Sequence, residues 1–316
     1  MLESLQPSIA IAVASLLIWS GFRVWRAENR FLKWGGIGLA ALLATVVALI
    51  GVVLMVGLFK LHARSAPLVT MTIADTPEQI RRGKEISDSF CSGCHSKTGP
   101  LTGGNDVGQD LPVRIGFFVS ANLTPAGPLS RWSDGEIFRA IRNGVDHDGR
   151  WLIIMSYTNA SKLSDDDTQA VIAYLRHLPA AGQQKANPLD HLNLLGLLML
   201  GSGMLPTGKP ISRGIVTAPP KAPTVQYGEY ILSYQDCREC HGKNLTGGIP
   251  GQLPPLGPDL NLVKEWKLEE FVIAMRTGMD PNGHEIGEQM PWRSIGKMDD
   301  EELGAIYAYL IRLPKA

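Results

Sequence analysis

An all-α fold is predicted by three features of the sequence. These are two apolar runs near the N-terminus, a pattern that occurs twice in the remainder, and segments of helical period that close each repeat. The arrangement expected is a transmembrane helical hairpin within residues 1–62, a small helical domain at 76–180, a linker at 181–226 and a second small helical domain at 227–316.

The apolar runs cover residues 8–22 and 34–59, and predict helices at about 8–25 and 34–59. Between them lie Arg23, Arg26, Arg30 and Lys33. The second run carries no charge and is long enough to cross the hydrocarbon core with some tilt. The first is shorter, and spans if Trp19 and Trp25 sit at an interface. A signal peptide carries its positive charges ahead of the apolar run, whereas here they follow it. Basic loops stay cytoplasmic, so everything after Phe59 is expected outside, on the periplasmic face of the inner membrane, with the lipid bilayer as one partner.

The repeat centres on Cys91-Ser92-Gly93-Cys94-His95 and Cys237-Arg238-Glu239-Cys240-His241, which together use all 4 cysteines of the chain. Cys-x-x-Cys-His is the attachment signature of haem c: two thiols become thioethers and the adjacent imidazole lies beneath the iron. The competing readings are a redox Cys-x-x-Cys and a pair of zinc knuckles; zinc needs four ligands, and neither motif has a second thiol or His pair at zinc-finger distance. Two covalently bound haem c groups are therefore expected, held by Cys91, Cys94 and His95 and by Cys237, Cys240 and His241.

Around these motifs the two copies run in parallel. Gly83-Lys84-Glu85 precedes the first as Gly228-Glu229-Tyr230 precedes the second. Arg142-Asn143-Gly144-Val145-Asp146 corresponds to Arg276-Thr277-Gly278-Met279-Asp280. Each copy closes in a short helix. Ser164 with Asp167, and Asp299 with Glu302, pair an N-cap residue with an acid three positions on. Leu163, Val171, Tyr174 and Leu175, and likewise Met298, Ile306, Tyr309 and Leu310, follow near-helical spacing and read as core. Pro179 and Pro314 end the two helices. Domains of roughly a hundred residues bury little surface alone, and a covalent haem supplies core to each.

The linker is rich in Pro and Gly and contains the apolar run Leu192–Leu200, too short to span. It admits three readings: a segment lying on the bilayer, a patch for a partner subunit, or a strap packed between the two haem domains. The strap is preferred, since most apolar segments of a compact chain are core. His62, His147, His177, His191 and His284 have no companion at ligand spacing and read as surface or loop residues. Thirty basic residues balance thirty acidic ones, which gives no basis for nucleic-acid binding.

Residues 76–316 resemble tandem class I cytochrome c domains, and are similar to the cytochrome c subunits that accept electrons from membrane-bound alcohol, aldehyde and sugar-acid dehydrogenases. The likeness is carried by Asn122-Leu123-Thr124-Pro125, Arg131-Trp132-Ser133-Asp134, residues 137–146 and Lys162-Leu163-Ser164-Asp165. In the second copy it is carried by residues 228–230, 240–248 and Gly257-Pro258-Asp259-Leu260.

The resemblance implies a Met as the other axial ligand, a pairing with His that raises the reduction potential. Met155 is the one Met between His95 and the end of the first closing helix. In the second copy Met275, Met279, Met290 and Met298 compete. Met290-Pro291-Trp292 matches the family's ligand loop, and Met275 and Met298 fall on helical stretches as core fillers. The family also places a carbonyl at a Gly-Pro turn against the proximal imidazole, a role that orients the ring. Gly257-Pro258 matches that turn, whereas the first copy has Ser120-Ala121-Asn122-Leu123 without the Pro.

The expected function is a membrane-anchored dihaem electron carrier. It would work between a respiratory or photosynthetic donor complex and a downstream acceptor, with redox proteins or complex subunits as partners. Alternatives are an integral cytochrome subunit of a dehydrogenase or terminal oxidase, and a dihaem peroxidase. A candidate sixth ligand in each copy weighs against the peroxidase, and no acid–base pair or activated nucleophile is evident in the sequence.

Overall fold

A computed structural model describes residues 28–96, 99–183, 190–252 and 254–314, with parts of 12–26. The chain is mostly helical, with strands of only two residues among the described residues. It divides into two compact units, residues 1–64 with 192–207 and residues 65–191 with 208–316.

In the first unit α1 runs from Arg30 to Ala63, longer at both ends than its charge-free stretch. Asn29 caps it, its side-chain oxygen accepting from Phe31 N and Leu32 N, so the helix takes in Lys33. It is long and apolar enough to cross a membrane. Half of the first helix expected, at about 8–25, lies outside the described residues; Ala12, Val13, Ser15, Leu16, Trp19, Ser20, Phe22 and Arg23 within it are helical.

The linker's apolar run forms a helix, Leu194–Ser202, in the same unit as α1 and packed on it. This corrects the strap reading. Gly57 and Gly201 remove the side chains that would hold the two helices apart: a Cβ at Gly57 would meet Leu197 O at 2.4 Å.

The second unit contains both Cys-x-x-Cys-His motifs. In the first copy α2 (Pro77–Ile86) leads through a π-helical turn, Ser87–Cys91, to α3 (Ser92–His95). There follow α4 (Asp134–Asn143), α5 (Ile153–Tyr157) and the closing α6 (Asp165–His177). The linker helix is α7. The second copy has α8 (Val225–Tyr234), α9 (Cys237–His241), α10 (Leu268–Thr277), α11 (Trp292–Ile295) and the closing α12 (Asp300–Leu310).

In each copy the first helix crosses the closing helix at the glycine that the repeat preserves. A Cβ at Gly83 would lie 1.9 Å from Ala170 O, and one at Gly228 would lie 2.0 Å from Ala305 O. Backbone cannot yield as a side chain does, so either helix pair would have to separate. Gly228→Ala is expected to cost about 1–3 kcal/mol, the usual penalty of overpacking, read as a lower denaturant midpoint at unchanged m-value.

The expected caps form: Ser164 Oγ accepts from Asp167 N at 3.0 Å and Asp299 Oδ1 from Glu302 N at 2.9 Å. Leu163, Val171, Leu175, Met298, Ile306 and Leu310 are buried, and Tyr174 and Tyr309 half-buried.

One continuous core joins the two copies. Where the first copy has Arg82 and Glu85, the second has Tyr227 and Tyr230, and the polar groups interlock. Arg82 donates to both oxygens of Asp167 at 2.8 and 2.9 Å, to Glu302 Oε1 at 2.5 Å and to Tyr227 OH at 2.9 Å. Tyr230 OH donates to Asp167 at 2.6 Å and accepts from Ser164 N at 2.9 Å. Burial, with the Asp167 charge beside it, raises the Tyr230 phenol well above its usual range, so it stays a donor. Phe90 and Tyr234 meet edge to face at 5.8 Å. The acids three positions after the two N-caps thus converge on one guanidinium.

Candidate haem-binding sites

Each motif sits on a short helical turn with its histidine oriented by a carbonyl. His241 Nδ1 donates to Pro258 O at 2.8 Å, the turn that the second copy's Gly-Pro leads to. His95 Nδ1 donates to Ala121 O at 2.9 Å. The first copy therefore fills the same role without the proline, because any carbonyl at that position serves. With Nδ1 spent, Nε2 is the ring nitrogen left to bind a metal. Burial lowers the pKa of His95, which favours the neutral, ligating form.

The frame around each histidine repeats. Gly103 N donates to His95 O at 2.8 Å and Gly247 N to His241 O at 2.9 Å. The carbonyl of each second cysteine accepts from a side-chain amide: Asn105 Nδ2 on Cys94 O at 2.7 Å, Gln252 Nε2 on Cys240 O at 3.2 Å. These two amides were not singled out from the sequence. They lie in loops of different length and differ in residue type, so only the fold reveals their equivalence.

The four thiols are unpaired. Burial pushes Cys91 and Cys237 up to about 12, and raises Cys94 and Cys240 as well. Redox-active and zinc-bound cysteines depend on a depressed pKa and the thiolate. A half-buried neutral pair beside an oriented imidazole suits thioether attachment.

The second copy holds an open-sided cavity of about 570 Å³, within the range of small-molecule sites. Cys237, Cys240, His241 and Met290 line it, and Leu232, Trp266, Phe271 and Ile306 supply apolar wall. Met275 and Met298 also line it as buried side chains, while Met279 is not in the wall and is more exposed. An apolar cavity with one imidazole on its wall fits an iron porphyrin of mixed apolar and polar edge.

The Met-bearing loops start from equivalent turns. Gly144 and Gly278 end α4 and α10 in the left-handed region, at φ 61° and 73°. Asp146 Oδ1 then accepts from Asp148 N and Arg150 N, as Asp280 Oδ1 does from Asn282 N and His284 N. Leu152 N returns to Gly144 O and Ile286 N to Gly278 O. Met155 lies on α5 and Met290 just before α11, both half-buried.

Asp190 was also missed by sequence reasoning, since a lone acid in a linker carries no spacing signal. Its carboxylate accepts from Ile153 N at the start of α5, the turn that bears Met155. Burial pushes its pKa up to about 6. The folded chain then holds a proton that the unfolded chain, with an aspartate pKa near 3.9, has lost. Asp190 therefore adds stability as pH falls from about 6 towards about 4, and subtracts it above. Asp190→Asn is expected to raise the denaturation midpoint at about pH 7.5 and to flatten its rise on acidification, measured by denaturant titration across pH.

The chain is similar to known proteins over both repeats. Residues 78–175 match the family described as cytochrome c oxidase, cbb3-type, subunit III, and residues 225–314 match the family described as cytochrome c. The cytochrome c subunit of a quinone-dependent alcohol dehydrogenase from Gluconobacter oxydans is 31% identical, over 74% of this chain and 55% of its own length. The fructose dehydrogenase cytochrome subunit of Gluconobacter japonicus is 27% identical, over 81% of this chain and 53% of its own. A dihaem c-type cytochrome of Cereibacter sphaeroides is 23% identical, over 71% of this chain and 82% of its own. Of three other curated relatives that it matches, the chain spans 21%, 22% and 59% of the length. Two cytochrome c domains, each with an intact attachment motif on an equivalent frame, make this chain a dihaem cytochrome c with two covalent haem c groups, an electron-transfer protein similar to the cytochrome c subunits of membrane-bound dehydrogenases.

Proposed function

We propose that this chain is the membrane-anchored electron-transfer subunit of a dehydrogenase complex, carrying electrons from a dehydrogenase partner to an acceptor on the outer face of the membrane. The observation that carries it is the continuous core joining two equivalent haem sites, which suits passage between two fixed centres better than two tethered modules would. The names of the relatives support a dehydrogenase as donor, and α1 with its basic N-terminal flank supports anchoring with the haem unit outside.

Haem c supplies a one-electron couple at each site when bound. His95 with Met155 and His241 with Met290 would hold the iron of each haem, and Cys91, Cys94, Cys237 and Cys240 would carry the covalent attachments. The chain's own task is to fix those ligands, hold each Nδ1 proton on a carbonyl and exclude water with apolar walls. A free-standing carrier is the second reading, favoured by the Cereibacter relative, most of whose length this chain covers.

Purification in mild detergent is expected to bring down a dehydrogenase catalytic subunit in fixed stoichiometry. Isolation as a single chain that exchanges electrons rapidly with small cytochromes supports the free carrier instead. Substantial turnover of peroxide or alcohols by the pure chain overturns both. The oxidised protein is expected to show the near-infrared sulfur-to-iron band, and Met290→Ala to remove part of it while leaving two haems by mass.

A further inference from the structure

We propose that α7 is a re-entrant helix, inserted beside α1 into the outer half of the bilayer and covered on its free side by lipid acyl chains. This rests on the membrane-anchored reading above.

The helix is apolar on every side: Leu-Leu-Gly-Leu-Leu-Met-Leu-Gly precedes Ser202, whose hydroxyl donates to Met199 O at 3.1 Å. A segment lying in the headgroup plane would show a charged face, and this one has none. Nine residues rise about 14 Å, roughly half of a 30 Å hydrocarbon core. The length suits one leaflet.

Its direction against α1 fits insertion and return. Gly57 faces Leu197 while Gly201 faces Val53, so the two helices are antiparallel, and the C-terminus of α7 lies towards the middle of α1. A Cβ at Gly201 would come within 2.0 Å of Val53 O. Close backbone contact at small residues is how helices associate where no hydrophobic effect operates between them. After Gly203, at φ 85°, the chain turns back through Met204 and Leu205, and Arg64 Nη1 at the end of α1 donates to Thr207 O at 2.9 Å. Val53 to Arg64 is about 16 Å of helix, again one leaflet.

The inner end of α7 has its polar groups satisfied by protein. Lys60 Nζ donates to Leu200 O at 2.9 Å and to Gly201 O at 3.4 Å, Gly203 N to Leu200 O, and Leu205 N to Met199 O. At the outer end Asn193 accepts from Gly196 N at 2.9 Å. Lipid imposes this requirement, because no water is present to serve free carbonyls.

The outer surface decides the occupant. Leu195 is 43% exposed and Met204 71%, and Val52, Met55 and Phe59 of α1 are exposed as well. Both helices of this unit expose apolar side chains, and α7 carries no charged residue, so the medium that covers α1 covers α7.

The haem groups consume all four native thiols, so a new cysteine can be labelled uniquely. Nitroxides at Leu195→Cys and Met204→Cys would be read in the full haem-loaded chain in liposomes of phosphatidylethanolamine and phosphatidylglycerol. Leu49→Cys on α1 and Asp166→Cys on the exposed start of α6 are the references. Relaxation by oxygen reports lipid, and relaxation by a nickel chelate reports water. Positions 195 and 204 are expected to match 49, with 204 the deeper of the two. Lipid contact at 49 with nickel access at 195 and 204 overturns the re-entrant helix and leaves the anchor standing. Protection of 195 and 204 from both reagents overturns the lipid occupant in favour of protein. Nickel access at 49 as well removes the anchor and this inference together.

Discussion

Arg82→Met is expected to destabilise the haem-bearing unit by about 3–5 kcal/mol, the cost of leaving one side of a buried ion pair uncompensated. Arg82, Asp167 and Glu302 are all largely shielded, and Arg82 is the cation shared by the two acids. Its removal strands Asp167 and Glu302 in the joint core and takes a donor from Tyr227. A domain of ordinary stability holds only about 5–15 kcal/mol, so the loss is a large fraction of the total. Denaturant titration followed at the haem absorbance and by far-ultraviolet circular dichroism measures it. Replacing Arg82, Asp167 and Glu302 together with Met, Asn and Gln is expected to recover much of the loss, because the orphaned charges go with the cation. If the triple variant is no more stable than Arg82→Met, the charges are not the cause.

This cluster marks the limit of what the sequence disclosed. The attachment motifs were legible because covalent chemistry demands fixed residues at fixed spacing, and the caps at Ser164 and Asp299 because they act within one helical turn. The glycines at 83 and 228 announced themselves by recurrence. Arg82 did not: its partner Asp167 is 85 positions away and Glu302 is 220 away, and no local pattern connects them. The same argument applies to Ala121, which acts through its carbonyl, a group that every residue carries. The apolar run at Leu192–Leu200 was legible as apolar but not in its destination, since a helix without a polar face gives no direction to its neighbour. Gly57 and Gly201, the residues that decide that destination, are ordinary glycines until the two helices are seen together.

Cys237→Ala with Cys240→Ala is expected to leave one covalent haem per chain and to prevent the second half from folding. The thioethers retain the group that fills the cavity of about 570 Å³ among Leu232, Phe271, Met275 and Ile306. At about 24 cal/mol per Å³, an unfilled space of that size would cost up to roughly 14 kcal/mol, an upper bound because water enters its open side. Even half of that equals the stability of a typical domain. The damage is not expected to stop at the second copy. Tyr227, Tyr230 and Tyr234 of α8 belong to the same core as Ile86, Val171 and Leu175, so collapse around His241 loosens the packing of α2 and α6. Intact mass is therefore expected to show one haem, and the remaining haem to lose its near-infrared band at a lower denaturant concentration than in the parent chain. Alanine in place of Cys91 and Cys94 is expected to act in the converse direction through the same core. A first haem unaffected by the loss of the second would mean that the two copies are energetically independent despite their shared interior.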